Sequence, residues 1–530
     1  MKPKLRLKQL IIQVKKLNFE ALVFFLILAV AALVMAKNFD YPVSNGETHR
    51  DYLVARHIVK YGEFPTTGPC CLFNGAFGEI RNSPVYYYLL ASLVVLHDNI
   101  LFLGLINSIL QLATIVTIYF VAKKIFNLGT ATIAMVLFAV SGPFLKTSLF
   151  FWQPHAMQPF VNLSYLALVL AYFGKNYLFI IVGPVLFLLA AALHASVWAI
   201  LPTFAAATFL ILKTQKRPVS AYIFLFGAMV LTFVSLNFGI FFHLVKYKTA
   251  VGVDLGKFLA LNWLEFFSNW QTAASTLIST IFAPQDYGRL ALSLAVLTVL
   301  IVLAACFKVV KKGGVDEKVP FLLIFFAVLQ FITVAAIFKA KIWLFYFTPV
   351  FGLVMILIAH SINTILSANF VLKSLKILIT GLLIIVFSVN FYFFKQTPGK
   401  NYQNIKIPLA AIQTNLSKIQ EEDSLKNLNF FQIKVYATGV ESTKTADLVF
   451  WTSLERELKR KFLKITDLGI GYELINGNNY IFVICHSYTR EIKVKSECLE
   501  PFTDEFPSHQ IVKQIAPNQP FLTYLAKKMN

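Results

Sequence analysis

In the stretch ETHRD, Glu47, Arg50 and Asp51 stand at positions i, i+3 and i+4. That spacing places side chains on one face of a helix, so a helix starting here would gather two carboxylates about one guanidinium. A carboxylate can take the proton of an attacking hydroxyl, and a fixed cation can stabilise an anionic leaving group. The same three residues could equally form an ion-paired helix start that only caps a loop. Glu47 and Asp51 with His49 could bind a divalent cation, but neighbouring cations can do such an ion's work on phosphate. The sequence has no D-x-D pair, and the expectation is no cofactor and no essential metal.

The elements that must carry this cluster are membrane helices. Only 14% of the 530 residues are charged and 57% are hydrophobic, against about 25% charged in soluble domains. Helical spans need about 20 apolar residues each, and such runs recur at 19–36, 100–122, 128–147, 157–174, 177–193, 195–212, 219–245, 289–309, 319–338, 342–360 and 372–394. The expected fold class is an all-α polytopic membrane protein of about 11 spans, within a range of 10 to 13, with a small C-terminal α/β domain. The ending VMA before Lys37 loosely resembles a signal-peptidase site, but the run before it is long and many spans follow, so it reads as an uncleaved first span.

The net charge of +22 lies largely in short basic connections such as AKKIFN, LKTQKRP and KVVKKGGVDEK. Basic connections stay cytoplasmic, which sets the N-terminus inside and places 37–99 outside as a large first loop. The apolar segment 84–97 is too short to span and reads as juxtamembrane. No basic stripe interleaved with aromatics occurs in a soluble segment, so nucleic acid is not an expected partner. The domain reading is 1–394 for the membrane module, including that loop, and 395–530 for an extracytoplasmic domain.

In the latter, NFFQIKVYATG and NNYIFVICHSY have the β-branched and aromatic content of strands, whereas ADLVFWTSLERELKRKFLKI repeats Leu454, Leu458 and Phe462 at helical steps. Cys485 and Cys498 could form a bridge if this region is outside. A helix lying on the membrane surface is expected within 246–288.

Further candidates sit at the outer ends of spans. His155 and His194 could line the cavity of the first loop or simply bond to backbone; Arg81, Lys339 and Lys341 could contact phosphate, although lysines at span ends also snorkel. Tyr86, Tyr87 and Tyr88 read first as part of the aromatic belt of the interface.

A first span followed by ETHRD, then ARHIVKYGEFPTTGP (55–69) and SPVYYYLL (83–90), resembles the polyprenyl-phosphate-dependent glycosyltransferases of the GT-C fold. Among these the bacterial members of the protein-mannosyltransferase and aminoarabinose-transferase superfamily are nearest in pattern. The helix, basic turn, helix cadence from Leu105 onward matches as well, so the resemblance covers about 350 residues from the start. It implies an inverting transferase in the bacterial plasma membrane that takes a polyprenyl-phosphate-linked sugar on the extracytoplasmic side and passes it to a lipid, protein or envelope glycan. It implies Glu47 or Asp51 as the base; the family's Asp-Glu pair is here Gly46-Glu47, while a D-x-x-R-D pattern keeps both acids. Arg50, Arg81, His155, His194, Lys339 and Lys341 would hold donor phosphate or sugar. A secondary transporter or lipid-linked oligosaccharide flippase is the alternative, but such proteins place ionisable groups at mid-membrane, and these spans are almost free of them.

Overall fold

The computed structural model describes residues 3–37, 46–66, 68, 83–141, 151–246, 262–282, 314–337, 344–367, 431–438, 463–467, 471–474, 480–487, 499–516 and 521–529, with isolated positions at 302–311, 410 and 414. The chain divides into two compact units, one of 1–37, 70–85 and 105–394, the other of 38–69, 86–104 and 395–530.

In the first unit the helices are α1 (Pro3–Lys37), α4 (Ile100–Ile125, largely in this unit), α5 (Leu128–Ala139), α6 (Gln153–Gly174), α7 (Tyr177–Leu193), α8 (Leu201–Thr214), α9 (Val219–Lys246), α10 (Trp263–Phe282), α11 (Val315–Ile337) and α12 (Thr348–Leu366). Among the described residues seven helices are long and apolar enough to cross a membrane, and three shorter apolar ones accompany them. The expected spans at 289–309 and 372–394 lie largely or wholly outside the described residues. The span expected over 128–147 ends as a helix at Ala139, where Val140 caps it and Ser141 turns back onto Phe138. A helix, α10, does stand within 246–288.

Local chemistry explains the boundaries. Asn127 caps α5 by accepting from Thr130 N at 2.9 Å, and Asn176 caps α7 by accepting from Leu178 N at 3.0 Å. Lys175 ends α6 in the left-handed conformation at φ 52°, so α6 and α7 form a tight antiparallel hairpin. Proline stands in the first turn of α6, α8 and α12, where its missing N–H costs nothing.

Burial then sorts the helices. Thr348 to Ile362 of α12 are all buried, as expected of a helix apolar all round at the centre of a bundle. Gly352 is where its neighbours come closest: a Cβ there would collide with Asn162 Oδ1 on α6 and lie 3.1 Å from Ile118 Cδ1 on α4. Small residues permit such approach between membrane helices. Gly352→Val should therefore cost about 1–3 kcal/mol of stability, read as a lower thermal midpoint in detergent; an unchanged midpoint would refute this close packing. Phe25, Leu33, Phe224 and Leu231 on α1 and α9 are exposed, the pattern of faces turned to lipid.

The second unit contains α2 (Gly46–Tyr61), α3 (Val85–Leu96) and a four-stranded sheet in the order β1-β4-β6-β5, from β1 (Phe431–Thr438), β4 (Tyr480–Ser487), β5 (His509–Ala516) and β6 (Phe521–Lys528). β1 runs parallel to β4, and the other pairings are antiparallel. Alternation sets the buried face: Ile481, Val483 and Cys485 on β4 meet Leu522, Tyr524 and Ala526 on β6, covered by Phe502 of the short helix α13 (Glu500–Glu505). Cys485 is disulfide-bonded; Cys498 lies outside the described residues.

A separate hairpin joins β2 (Leu463–Asp467) to β3 (Gly471–Leu474). The helix expected over 446–465 therefore does not reach its end: Leu463 and Ile465 alternate as strand residues paired with Leu474 and Tyr472. Leu454, Leu458 and Phe462 lie outside the described residues.

Candidate active site

The start of α2 holds the ETHRD residues in one helical turn and a half. Ala55, Val54 and Leu53 bury the middle of the helix, and Asp51 is itself completely buried. A buried charge must be paired and hydrogen-bonded, and here it is. Arg50 donates to Asp51 Oδ1 through Nε at 3.0 Å and through a terminal nitrogen at 2.8 Å, and Tyr87 Oη donates to the same oxygen at 3.3 Å. The Arg50 side chain keeps 20% of its surface exposed while Asp51 keeps none. The pair therefore fixes a guanidinium at the edge of the packed region, with the carboxylate behind it.

Glu47 lies in the first turn of the same helix, four residues before Asp51, where the positive end of the helix dipole favours an anion. Around this core a second layer orders the loop. Tyr52 Oη donates to Asp98 Oδ1 at 2.5 Å, and Arg56 reaches the same oxygen at 3.7 Å and lies over the Tyr52 ring. Tyr88 Oη donates to the Pro65 carbonyl at 2.6 Å.

The aromatic-belt reading needs correction for Tyr86 and Tyr87. Tyr86 and Tyr87 are fully buried, and Tyr87 is a partner of Asp51. The signal available in the sequence was the run of three tyrosines itself, since a phenol in a packed site needs an acceptor.

His155 and His194 belong to the first unit, at the same end of the α6–α7 hairpin. His155 is buried at the start of α6, edge-on to Trp152, and its carbonyl accepts from Gln111 Nε2 at 2.9 Å. His194 caps the 3-10 turn Ala195–Ile200: its Nδ1 accepts from Ser196 N at 3.3 Å and meets Ser196 Oγ at 2.8 Å. Burial pushes its pKa down to about 4, so at neutral pH it offers an N–H on Nε2 and no charge. Backbone bonding, the plainer of the two readings for His194, is what its geometry serves. Arg81, Lys339 and Lys341 lie outside the described residues. Among the described residues no three His, Cys, Asp or Glu side chains group as metal ligands.

Sequence reasoning also passed over a polar seam inside the first unit. Asn107, Gln111 and Thr114 on α4 and Gln158 and Asn162 on α6 are all nearly or fully buried. Their spacings of three and four residues put each set on one helix face; attention to ionisable groups alone hid them.

No protein-family model and no curated protein matches the sequence. Solved structures do. ArnT from Cupriavidus metallidurans bound to undecaprenyl phosphate superposes with a TM-score of 0.55 at 9% identity, covering 94% of this chain and 97% of that one. The chain has the fold of ArnT. Its apo form gives 0.54 at 10% identity over the same shares. The Archaeoglobus fulgidus oligosaccharyltransferase in its apo form is similar at a TM-score of 0.46 and 13% identity, over 81% of this chain and 64% of that one. The polytopic, GT-C-like architecture with a small C-terminal sheet, expected from the sequence, is borne out by the ArnT match.

Proposed function

We propose that the protein is an integral-membrane glycosyltransferase that transfers a sugar from a polyprenyl-phosphate donor to an acceptor hydroxyl or amine on the extracytoplasmic side, with its N-terminus in the cytoplasm. The observation that carries this reading is the likeness, along nearly the whole chain, to a structure solved with undecaprenyl phosphate bound. The Arg50–Asp51–Tyr87 cluster gives it a chemical centre.

In the proposed reaction the acceptor oxygen or nitrogen bonds to the anomeric carbon as the carbon–oxygen bond to phosphate breaks. The bonding electrons leave with the polyprenyl phosphate, and a carboxylate takes the acceptor proton, with inversion at the anomeric carbon. Protonating Asp51 at Oδ1 would break the contacts from Arg50 and Tyr87. We therefore give Asp51 the positioning of Arg50, Arg50 the departing phosphate, and Glu47 the proton.

The test is transfer of radiolabelled sugar from a polyprenyl-phosphate donor by the purified protein in liposomes, offered lipid, peptide and glycan acceptors. Labelled product is the expected result. Donor that neither binds nor turns over with any acceptor class would overturn the reading.

A further inference from the structure

At the opposite end of the α6–α7 hairpin from His155 and His194, helices α4, α6, α8, α11 and α12 border a partly open cleft of about 100 Å³. Its walls are hydrocarbon and aromatic, among them Val121, Ile125, Leu168, Phe204, Ile211 and Leu323. Two of its hydroxyls are turned to protein partners: Tyr165 Oη donates to the Pro349 carbonyl at 2.9 Å, and Thr203 Oγ1 donates to Gln330 Oε1. An apolar chain is what such walls accept.

The rim has a different chemistry. The lining reaches the last turn of α4 at Ile125, the end of α6 at Phe173, the end of α8 at Ile211 and the start of α11 at Val319. Each of these ends carries a cation: Lys124, Lys175, Lys213 and Lys318. Lys124 lies over the Phe173 ring, 5.7 Å from its centre, and Lys124, Lys175 and Lys213 are exposed. Of the described carboxylates, Glu317, beside Lys318, meets His360 at 3.6 Å, and Glu20 is held by Lys123 and Tyr119. Cations at helix ends alone need only the positive-inside rule, and an apolar void alone needs only imperfect packing. Together they describe one ligand, a hydrocarbon chain ending in an anion.

We propose that this cavity is a binding site for an anionic phospholipid of the cytoplasmic leaflet, its acyl chain between α4, α6, α8 and α11 and its phosphate among Lys124, Lys175, Lys213 and Lys318. The site is separate from the α2 cluster, and of the proposed function it shares only the orientation, so it stands whether or not the protein transfers sugar. Anionic lipid is concentrated in that leaflet, and each lysine near it adds to the attraction.

The experiment is native mass spectrometry of the full-length protein in detergent with phosphatidylglycerol and phosphatidylcholine of identical chains in equal amounts. The expected result is phosphatidylglycerol retained about tenfold over phosphatidylcholine at collision energies that strip non-specific lipid. Changing Lys124, Lys213 and Lys318 together to Gln should bring the two lipids level. Ala207→Phe, which fills the cavity from α8, should remove the retained phosphatidylglycerol. Should that variant fail to fold, the lysine changes on the rim carry the test. Equal retention of the two lipids by the wild type would overturn the proposal, as would a preference that survives the lysine changes. So would a polyprenol that displaces phosphatidylglycerol regardless of head-group charge, which would make the cavity a seat for the tail of a lipid-linked donor.

Discussion

Glu47→Gln is expected to lower the turnover of sugar transfer by about two to four orders of magnitude while leaving the dissociation constant of the donor within about twofold of wild type. The substitution keeps the size and hydrogen-bonding reach of the side chain and removes only its capacity to accept a proton. Glu47 stands in the first turn of α2, before the helix enters its buried stretch at Thr48 and His49. Donor affinity, by contrast, is assigned to Arg50, which this change does not touch. The measurement is single-turnover transfer of radiolabelled sugar in liposomes beside direct donor binding. Wild-type turnover in Glu47→Gln would remove Glu47 from the chemistry and return the proton to Asp51, and loss of donor binding would make Glu47 part of the binding site.

How far the sequence carried depended on what kind of force shaped each element. Apolar length is a one-dimensional property, so α1, α4, α6, α9 and α11 were legible from it. Boundaries were legible where a residue acts locally, as Asn127 and Asn176 do at their caps. The early end of α5 had its own marker in Ser141-Gly142-Pro143, a turn signal inside a run that otherwise looked long enough to span.

What could not be read depended on partners distant in sequence. Nothing local tells Tyr87 that Asp51, 36 residues earlier, needs its hydroxyl. The same holds for Gln330, which accepts from Thr203 N at 3.1 Å and donates to the Ala199 carbonyl at 2.7 Å, fastening α11 to the 3-10 turn ahead of α8. The tail shows the limit from the other side. Leu463 and Ile465 close a helical pattern and equally open a strand pattern, and the strand prevailed because β3 supplied a pairing edge. The helical cluster at ETHRD was legible because its spacing is local; the Tyr87 hydroxyl on Asp51 was not, because it comes from α3.

Asp51→Asn should behave unlike Glu47→Gln, and the contrast separates a positioning role from a proton-transfer role. Asp51 is completely buried, and its Oδ1 receives both Arg50 contacts and the Tyr87 hydroxyl. Breaking a buried ion pair from one side costs about 3–5 kcal/mol, because the partner charge is left uncompensated. The 20% exposure of Arg50 moves the expectation toward the lower end, so Asp51→Asn should unfold several degrees below wild type. The guanidinium, held there by a weaker contact to a neutral amide, should be less firmly aimed, and the donor dissociation constant should rise about tenfold or more, since a charge-assisted contact to phosphate is worth about 1.5–3 kcal/mol. Turnover at saturating donor should fall much less than in Glu47→Gln. Arg50→Ala should raise the donor dissociation constant by a similar factor, and the double variant should add little to either single one, because both remove the same contact. Tyr87→Phe removes only the longest of the three hydrogen bonds, at 3.3 Å, and should show the same pattern more weakly. Strictly additive losses from Asp51→Asn and Arg50→Ala would mean that the pair does not act as a unit. A turnover loss in Asp51→Asn as large as that in Glu47→Gln, with donor affinity intact, would make Asp51 the base.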